Sequence, residues 1–495
     1  MKKTAKSLSI IFTLTMLLTL ALYSCADDKT TSTASIEDQS SESDVLVPHL
    51  GKANYSGKTL RILATDGEGA NYGTSQIAPD ELNSEPVNDT VILRNNQLEE
   101  EYGFTVEAIY TEAWDAFLEK VRNDMMSDSA DYDVISTGVF TLSSFAAEGS
   151  LLDLYSIEGS HLSLDKEWWD VTSNEDMSIG NKLFFTTGDI FVLDDENTIV
   201  TYFNKDIIEE LSLENPYDLV YSGEWTLDKM YEMIKTVVKE DGNGIMGIDS
   251  NDRWGLVGDA FDTYKYILGC DNPQVYKDND DLPYLAMTNQ EAVDAFMKVY
   301  QMFTDKDHVA YTEEYYAWND PDAANVINNF FSGNSLFYAS SVRAVSTEKM
   351  RNADIHYGIL PEPKYDTAQE NYTSTINPYH FYCLSITNAS HDLDFITFAL
   401  EAIAYTSKQI VTPEYYQRTL QLKRFDDQDS PEMLDIIFSN RIVDISVIFN
   451  WDDCIQYYNN LIFSNAPTIV SYVDARREAF NAAMQETIDA IMALE

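Results

Sequence analysis

Leu60-Arg61-Ile62-Leu63-Ala64-Thr65-Asp66-Gly67-Glu68-Gly69 opens the folded part of the chain. Its apolar run reads as a buried strand, and Asp66-Gly67-Glu68-Gly69 as the turn that leaves it. Val91 to Tyr102 follows as a helix, with Gly103 placed as a left-handed stop. Phe104-Thr105-Val106-Glu107-Ala108-Ile109-Tyr110 alternates as a second strand. Thr111 is expected to cap a helix whose apolar positions, Trp114, Phe117, Leu118, Val121 and Met125, follow the helical period. Tyr132-Asp133-Val134-Ile135-Ser136-Thr137 is a third strand, ending at Gly138. Strand, helix, strand, helix, strand predicts an α/β lobe with a largely parallel sheet.

The same style recurs downstream. Thr226 is expected to cap a helix with Leu227, Met230, Met233, Ile234 and Val237 on one face. Thr288-Asn289-Gln290-Glu291 reads as a capping box opening a helix with Val293, Phe296, Met297 and Tyr300 inward. Ser471 to Leu494 reads as a long C-terminal helix. The chain exceeds one typical core, so two or more lobes are expected.

Ahead of the folded part lies a different kind of sequence. Lys2, Lys3 and Lys6 precede an apolar run from Leu8 to Leu22, which is the layout of a secretory signal and is short for a membrane span. Leu22-Tyr23-Ser24-Cys25 resembles the lipobox of bacterial lipoproteins. That resemblance implies cleavage before Cys25, lipidation of its thiol, and a position on the outer face of the cytoplasmic membrane. Residues 25–55 are rich in Ser, Thr, Asp and Glu and are expected to form a disordered tether.

Bulk charge excludes several partners. The net charge is −51, and removing residues 1–24, with three lysines and no acid, makes it −54. Such a field opposes nucleic acid and anionic lipid surfaces, but it says nothing about the charge of any ligand. Besides Cys25 there are only Cys270, Cys383 and Cys454, too few for a disulfide framework and expected to be buried. The six histidines are scattered, with no metal-ligand spacing. No P-loop, nucleophile elbow or metal motif appears, so no cofactor and no catalytic residue is expected. A calcium reading of Asp241, Asn243, Gly247, Asp249 and Asp252 fails at Ile245, at Met246 and at the Asp in the last position.

Several blocks resemble the family 1 extracellular solute-binding proteins of ABC importers, the sugar-binding lipoproteins. They are Phe330-Phe331-Ser332-Gly333-Asn334-Ser335-Leu336-Phe337, and Tyr357-Gly358-Ile359-Leu360-Pro361-Glu362-Pro363-Lys364 with Gln369 and Tyr372. Leu400-Glu401-Ala402, Pro413-Glu414-Tyr415-Tyr416, Ser430-Pro431-Glu432-Met433-Leu434-Asp435-Ile436-Ile437 and Asn450-Trp451 complete the set. The resemblance covers nearly all of the chain beyond the tether. It implies an α/β, two-lobe type II periplasmic-binding fold with a ligand cleft between the lobes. Residues 56–190 plus 375–425 would form lobe 1, and 191–374 plus 426–495 lobe 2. The implied function is capture of a solute, a mono- or oligosaccharide, by a monomer that delivers it to an ABC permease. The rival readings are a secreted glycan hydrolase and a surface glycan-attachment protein. A hydrolase needs a placed pair of carboxylates that no motif singles out, and an attachment protein would show repeats or small all-β modules.

Sugars are held by aromatic faces and by polar or charged groups on their hydroxyls. Strand ends supply the candidates: Asp66 and Glu68 after the first strand, and Thr137 and Gly138 at the end of the third. Asp195, Glu196 and Asn197 lie in the expected first crossover, between Phe184 and Val200; the return is expected between Pro361 and Ile376. Arg343 follows Tyr338-Ala339-Ser340-Ser341, where this family often presents a side chain to ligand. Trp451 is the expected stacking platform. Tyr379, Trp225 and Trp254 are further candidates, although a Trp at the mouth of an amphipathic helix, as Trp225 is, more often belongs to a core.

Overall fold

The computed structural model describes residues 45–65, 76–111, 114–129, 131–248, 251–317, 319–422 and 429–494. The lipobox cysteine Cys25, the signal segment and residues 25–44 of the expected tether lie outside them, as do Asp66 and Glu68.

Thirteen strands are present among the described residues: β1 (Thr59–Thr65), β2 (Thr105–Thr111), β3 (Val134–Gly138), β4 (Ile199–Asn204), β5 (Trp254–Gly258), β6 (Val275–Lys277), β7 (Pro283–Leu285), β8 (Val309–Tyr311), β9 (Ser335–Ser341), β10 (Tyr357–Leu360), β11 (Ser374–Thr375), β12 (Tyr382–Ser385) and β13 (Arg441–Ile442). Two sheets organise the body. The first has the order β12-β3-β1-β2, with β1 parallel to both neighbours and β12 antiparallel to β3. The second has the order β10-β4-β9-β5-β8; β5 runs parallel to β8 and β9, while β4 is antiparallel to β9 and β10. Parallel strands buried on both faces need continuous apolar runs. In β1, Leu60, Ile62, Leu63 and Ala64 are buried and only Arg61 is exposed.

Local signals explain the helices that link the strands. Helix Pro86–Tyr102 starts with Pro86 after Glu85, whose carboxylate accepts from the Asn88 amide, and ends at Gly103 with φ 80°. Helix Leu227–Val237 is capped by Thr226, which accepts from the Lys229 amide; Leu227, Met230, Met233, Ile234 and Val237 are all buried. The C-terminal helix runs from Ile469 to Met492. Cys270, Cys383 and Cys454 are buried free thiols.

Some expectations are corrected. Thr111 belongs to β2, and the next described helix begins at Trp114, so Thr111 does not cap it. The Thr288 capping box does not form: Thr288 Oγ1 accepts from Arg477, and Asn289 caps helix Gln290–Phe303 without a side-chain bond. Met297 in that helix faces solvent. The tether is also shorter than residues 25–55. Val47 is fully buried, its amide donates to the Tyr102 hydroxyl, and Tyr55 packs on Phe395 and Phe398. Two large apolar side chains thus hold a polar segment on the body.

The chain passes from the first sheet to the second through the short helix Leu193–Asn197, and returns through residues 361–381. The two passages touch: Thr198 bridges Ile376, and the Asn377 amide donates to the Asn197 carbonyl at 3.0 Å. β11 on the return pairs with β13, tying the C-terminal region to the same place. Two cavities form around this junction. Among the described residues, no helix is long and apolar enough to cross a membrane.

Candidate functional site

The first cavity, about 490 Å³, sits at the carboxyl ends of three parallel strands. Gly258 ends β5, Thr312 follows β8, and Ser341 ends β9. In sheets of this kind, side chains leaving strand ends converge on ligands. Opposite them stand Asn197, Asn377 and His380 from the two passages between the sheets. Arg343 enters from the turn after β9, as expected from its place in the sequence. Tyr338 supplies an aromatic wall.

Lys265 comes from helix Asp262–Gly269 and reaches this cavity from a buried base. Its Nζ lies 2.5 Å from Asp262 Oδ1. Burial works against the Lys265 charge, but Asp259, Asp262 and Glu362 outweigh it and raise its pKa. Glu362 is itself buried and accepts from the Thr201 hydroxyl at 3.3 Å to either oxygen. Burial first, then repulsion from Asp262, pushes Glu362 up to about 8. The Lys265 side chain is thereby fixed from below by packed neighbours, a rigid support for a binding group.

Tyr379 stands beside the cavity between Asn377 and His380. It is 47% exposed and packs edge-on against Phe140, which follows β3, and Phe261, which follows β5. Gln456 donates to its hydroxyl. Its ring therefore lies where elements of both sheets meet.

The second cavity has the same volume, about 490 Å³, and different chemistry. Asp194 and Asp195 line it, while Asn197, two residues on, lines the first; residues two apart on a helix do not share a face. Arg441 holds it together, with Asp170 and Asp195 each at 2.8 Å and Asp194 at 3.5 Å. Nearby, Lys408 lies 3.3 Å from Asp189, which also accepts from Thr412. Burial raises the carboxyls of Asp194 and Asp195, and raises Asp189 to about 6.

These positions sort the expected residues. Asn197 and Arg343 meet in the first cavity, with Tyr379 at its side. Asp195 is in the second cavity, bound to Arg441. Glu196 is half-buried between them in sequence. Thr137 is fully buried, its hydroxyl 3.2 Å from that of Thr65. Gly138 closes β3, where the tip of Trp114 would meet an added Cβ at 3.9 Å. Trp451 is not a platform: it is 3% exposed, stacks on Phe449, and donates from Nε1 to Thr487 at 2.9 Å. The αL turn at Asn450 rolls it into the space beneath the C-terminal helix. Trp225 and Trp254 are likewise core. The carboxylates of Glu240, Asp241 and Asp252 do lie together, but Asp252 accepts from the amides of Asp241 and Gly247 and so braces its own loop.

The sequence reading missed Lys265 and His380. Lys265 sits in a helix with no visible signal, but Asp259, just after β5, marks the strand end that leads to it. Trp114 was assigned to a core face, yet it is 44% exposed at the mouth of its helix beside Gly138.

A family model, bacterial extracellular solute-binding protein, matches residues 85–402, well over half the chain. The chain belongs to that family. No curated protein sequence matches it. Solved structures resemble this solute-binding protein across most of its length. M. tuberculosis UspC shares 14% identity, with 86% of this chain and all of that one covered, at a TM-score of 0.55. The sugar-binding protein MalE of Xanthomonas citri shares 14%, with 88% and 98% covered and a TM-score of 0.54. An ABC substrate-binding protein of Listeria monocytogenes in complex with cycloalternan shares 12%, with 88% and 100% covered and a TM-score of 0.52. At such identities the likeness is one of fold: the solute-binding protein is an α/β protein of the two-lobe periplasmic-binding type.

Proposed function

We propose that this solute-binding protein is the extracellular receptor of an ABC importer, capturing a saccharide in the Arg343 cavity and handing it to a membrane permease. The observation that carries the reading is the placement of that cavity. It lies at three parallel strand ends, faced by both passages between the sheets, so that a hinge at residues 193–198 and 375–377 would close it on a ligand. Its lining of amides, hydroxyls, Arg343 and Tyr338, with Tyr379 beside it, suits hydroxyl-rich rings. Two related structures carry cycloalternan and sugar-binding in their descriptions. Residues 56–190 plus 375–425 would form one lobe, and 191–374 plus 426–495 the other. Cys25 would carry the lipid anchor on the outer face of the cytoplasmic membrane, and the protein would act as a monomer without catalysis.

Thermal shift of the full chain against mono- and oligosaccharides, peptides and polyols tests this. A ligand specific to the folded state adds about 2.7 kcal/mol at a hundredfold excess over its Kd. Stabilisation by a saccharide that is recovered intact is expected. Stabilisation by peptides alone would overturn the solute class, and cleavage of a glycan would establish the hydrolase instead.

A further inference from the structure

Two large aromatic side chains stand exposed near one edge of the first sheet. β2 and β3 both run parallel to β1, so their carboxyl ends share that edge. Trp114 opens the helix after β2 and is 44% exposed. β1 lies between β2 and β3, which sets those two strands about 10 Å apart. Yet Cη2 of Trp114 comes within 3.9 Å of where a Cβ would stand on Gly138, the last residue of β3. The indole therefore reaches across the sheet edge. Two residues past Gly138, the Phe140 ring lies 5.7 Å from that of Tyr379, which is 47% exposed. Tyr379 falls in sequence between Asn377 and His380, both of which line the Arg343 cavity.

Nothing in the fold calls for a glycine at position 138. Its backbone is extended, with φ −64° and ψ 145°, a conformation open to any residue. An added Cβ would meet Trp114 at 3.9 Å and the Phe381 carbonyl at 4.0 Å, both ordinary contacts. Gly255 in β5 is the opposite case, for there a Cβ would come 2.6 Å from the Ile234 carbonyl. A glycine that neither backbone nor packing requires leaves its peptide bare to a close approach.

We infer that Trp114, Gly138 and Tyr379 form a shelf that continues the saccharide site out of the Arg343 cavity, so that the ligand is an oligosaccharide rather than a single sugar. This deepens the saccharide reading above and rests on it. One unit occupies the cavity, and the next leave it past Tyr379, cross the bare backbone at Gly138 and stack on Trp114. Aromatic faces cover the C–H surfaces of sugar rings and leave the hydroxyls to water, which suits the outer units of a chain. Neither Trp114 nor Gly138 lines the cavity, so a single ring held there leaves both untouched.

Calorimetric titration of the full chain with glucose, galactose and xylose, beside maltotriose, cellotriose, xylotriose and raffinose, tests the inference. A trisaccharide is expected to bind at least about tenfold more tightly than any of the single sugars. Trp114→Ala should remove most of that gain and leave single-sugar affinity unchanged, while Trp114→Phe should keep part of it. Gly138→Ala, which the backbone admits, should weaken the trisaccharide about threefold or more with the melting temperature unchanged. Trp114 is also its own probe, being the one exposed tryptophan among the described residues. Acrylamide quenching of the fluorescence that Trp114→Phe removes should fall when the trisaccharide binds. A single sugar bound as tightly as every trisaccharide, or a trisaccharide indifferent to both Trp114→Ala and Gly138→Ala, would overturn the shelf while leaving a saccharide receptor. Silence of every sugar would remove the saccharide reading itself.

Discussion

The Arg343 and Arg441 cavities have the same volume, and both are lined by the short helix Leu193–Asn197, yet they stand at different places in the fold. Around Arg441, three carboxylates lie within 3.5 Å of one guanidinium, and the ions satisfy one another. Around Arg343, Lys265 shares the wall with Asp259, and Asp262 and Glu362 are packed beneath it. The first arrangement ties three stretches of chain together at the junction between the sheets: Asp170 before helix Val171–Met177, the pair Asp194 and Asp195, and β13. The second lines a space at three strand ends. Size and polarity alone would rank the two cavities equally as binding sites. Their place in the fold separates them: one ties segments together and the other opens at the ends of β5, β8 and β9.

The largest expected effects fall on the braced side. Arg441→Ala strands three buried carboxylates and should cost about 3–5 kcal/mol of stability by chemical denaturation. A loss below about 1 kcal/mol would mean the cluster is not a brace, and the contrast between the cavities would collapse. Trp451→Ala should cost a similar amount, about 3–5 kcal/mol, by opening a hole beneath the C-terminal helix. Saccharide affinity measured on the surviving fold should stay unchanged, which separates a core tryptophan from a stacking one.

A subtler effect concerns the support under Lys265. The folded Glu362 carboxyl titrates at about 8 against an ordinary 4.5, so its protonated form favours the folded state. That contribution is complete below about 4.5 and is lost as pH rises through about 8. Glu362→Gln should therefore flatten the dependence of stability on pH across this window, measured as denaturation midpoints at its two ends. An unchanged slope would show that Glu362 is ionised at neutral pH. The smallest effect belongs to the exposed ring: Tyr379→Ala should weaken saccharide binding by about 1 kcal/mol, roughly fivefold, with stability within about 0.5 kcal/mol. A large loss of stability instead would assign Tyr379 to the seam between Phe140 and Phe261.

Much of the fold was legible because its signals are local. The apolar run at Leu60–Ala64, the Gly103 stop and the Thr226 cap each depend on neighbours within a few residues, and each formed as read. The signals that failed were overruled from afar: Arg477 took the Thr288 hydroxyl, and Tyr102 with Phe398 drew residues 45–55 onto the body. Arg343 and Asn197 come to line one cavity because they follow a strand end and a passage between the sheets. Trp451 misled because an exposed and a buried tryptophan look alike when only their flanking residues are known.

The sequence alone determined the alternation of strands and helices, the character of the solute-binding family, and the excess of negative charge. Those follow from period, capping and composition, which a linear chain carries in full. The tertiary structure alone decided which ions meet. Arg441 finds Asp170, Asp194 and Asp195, while Arg343 finds a wall shared with Lys265 and His380, because the partners of a charge are chosen by packing between segments distant in sequence, and no local pattern records that choice.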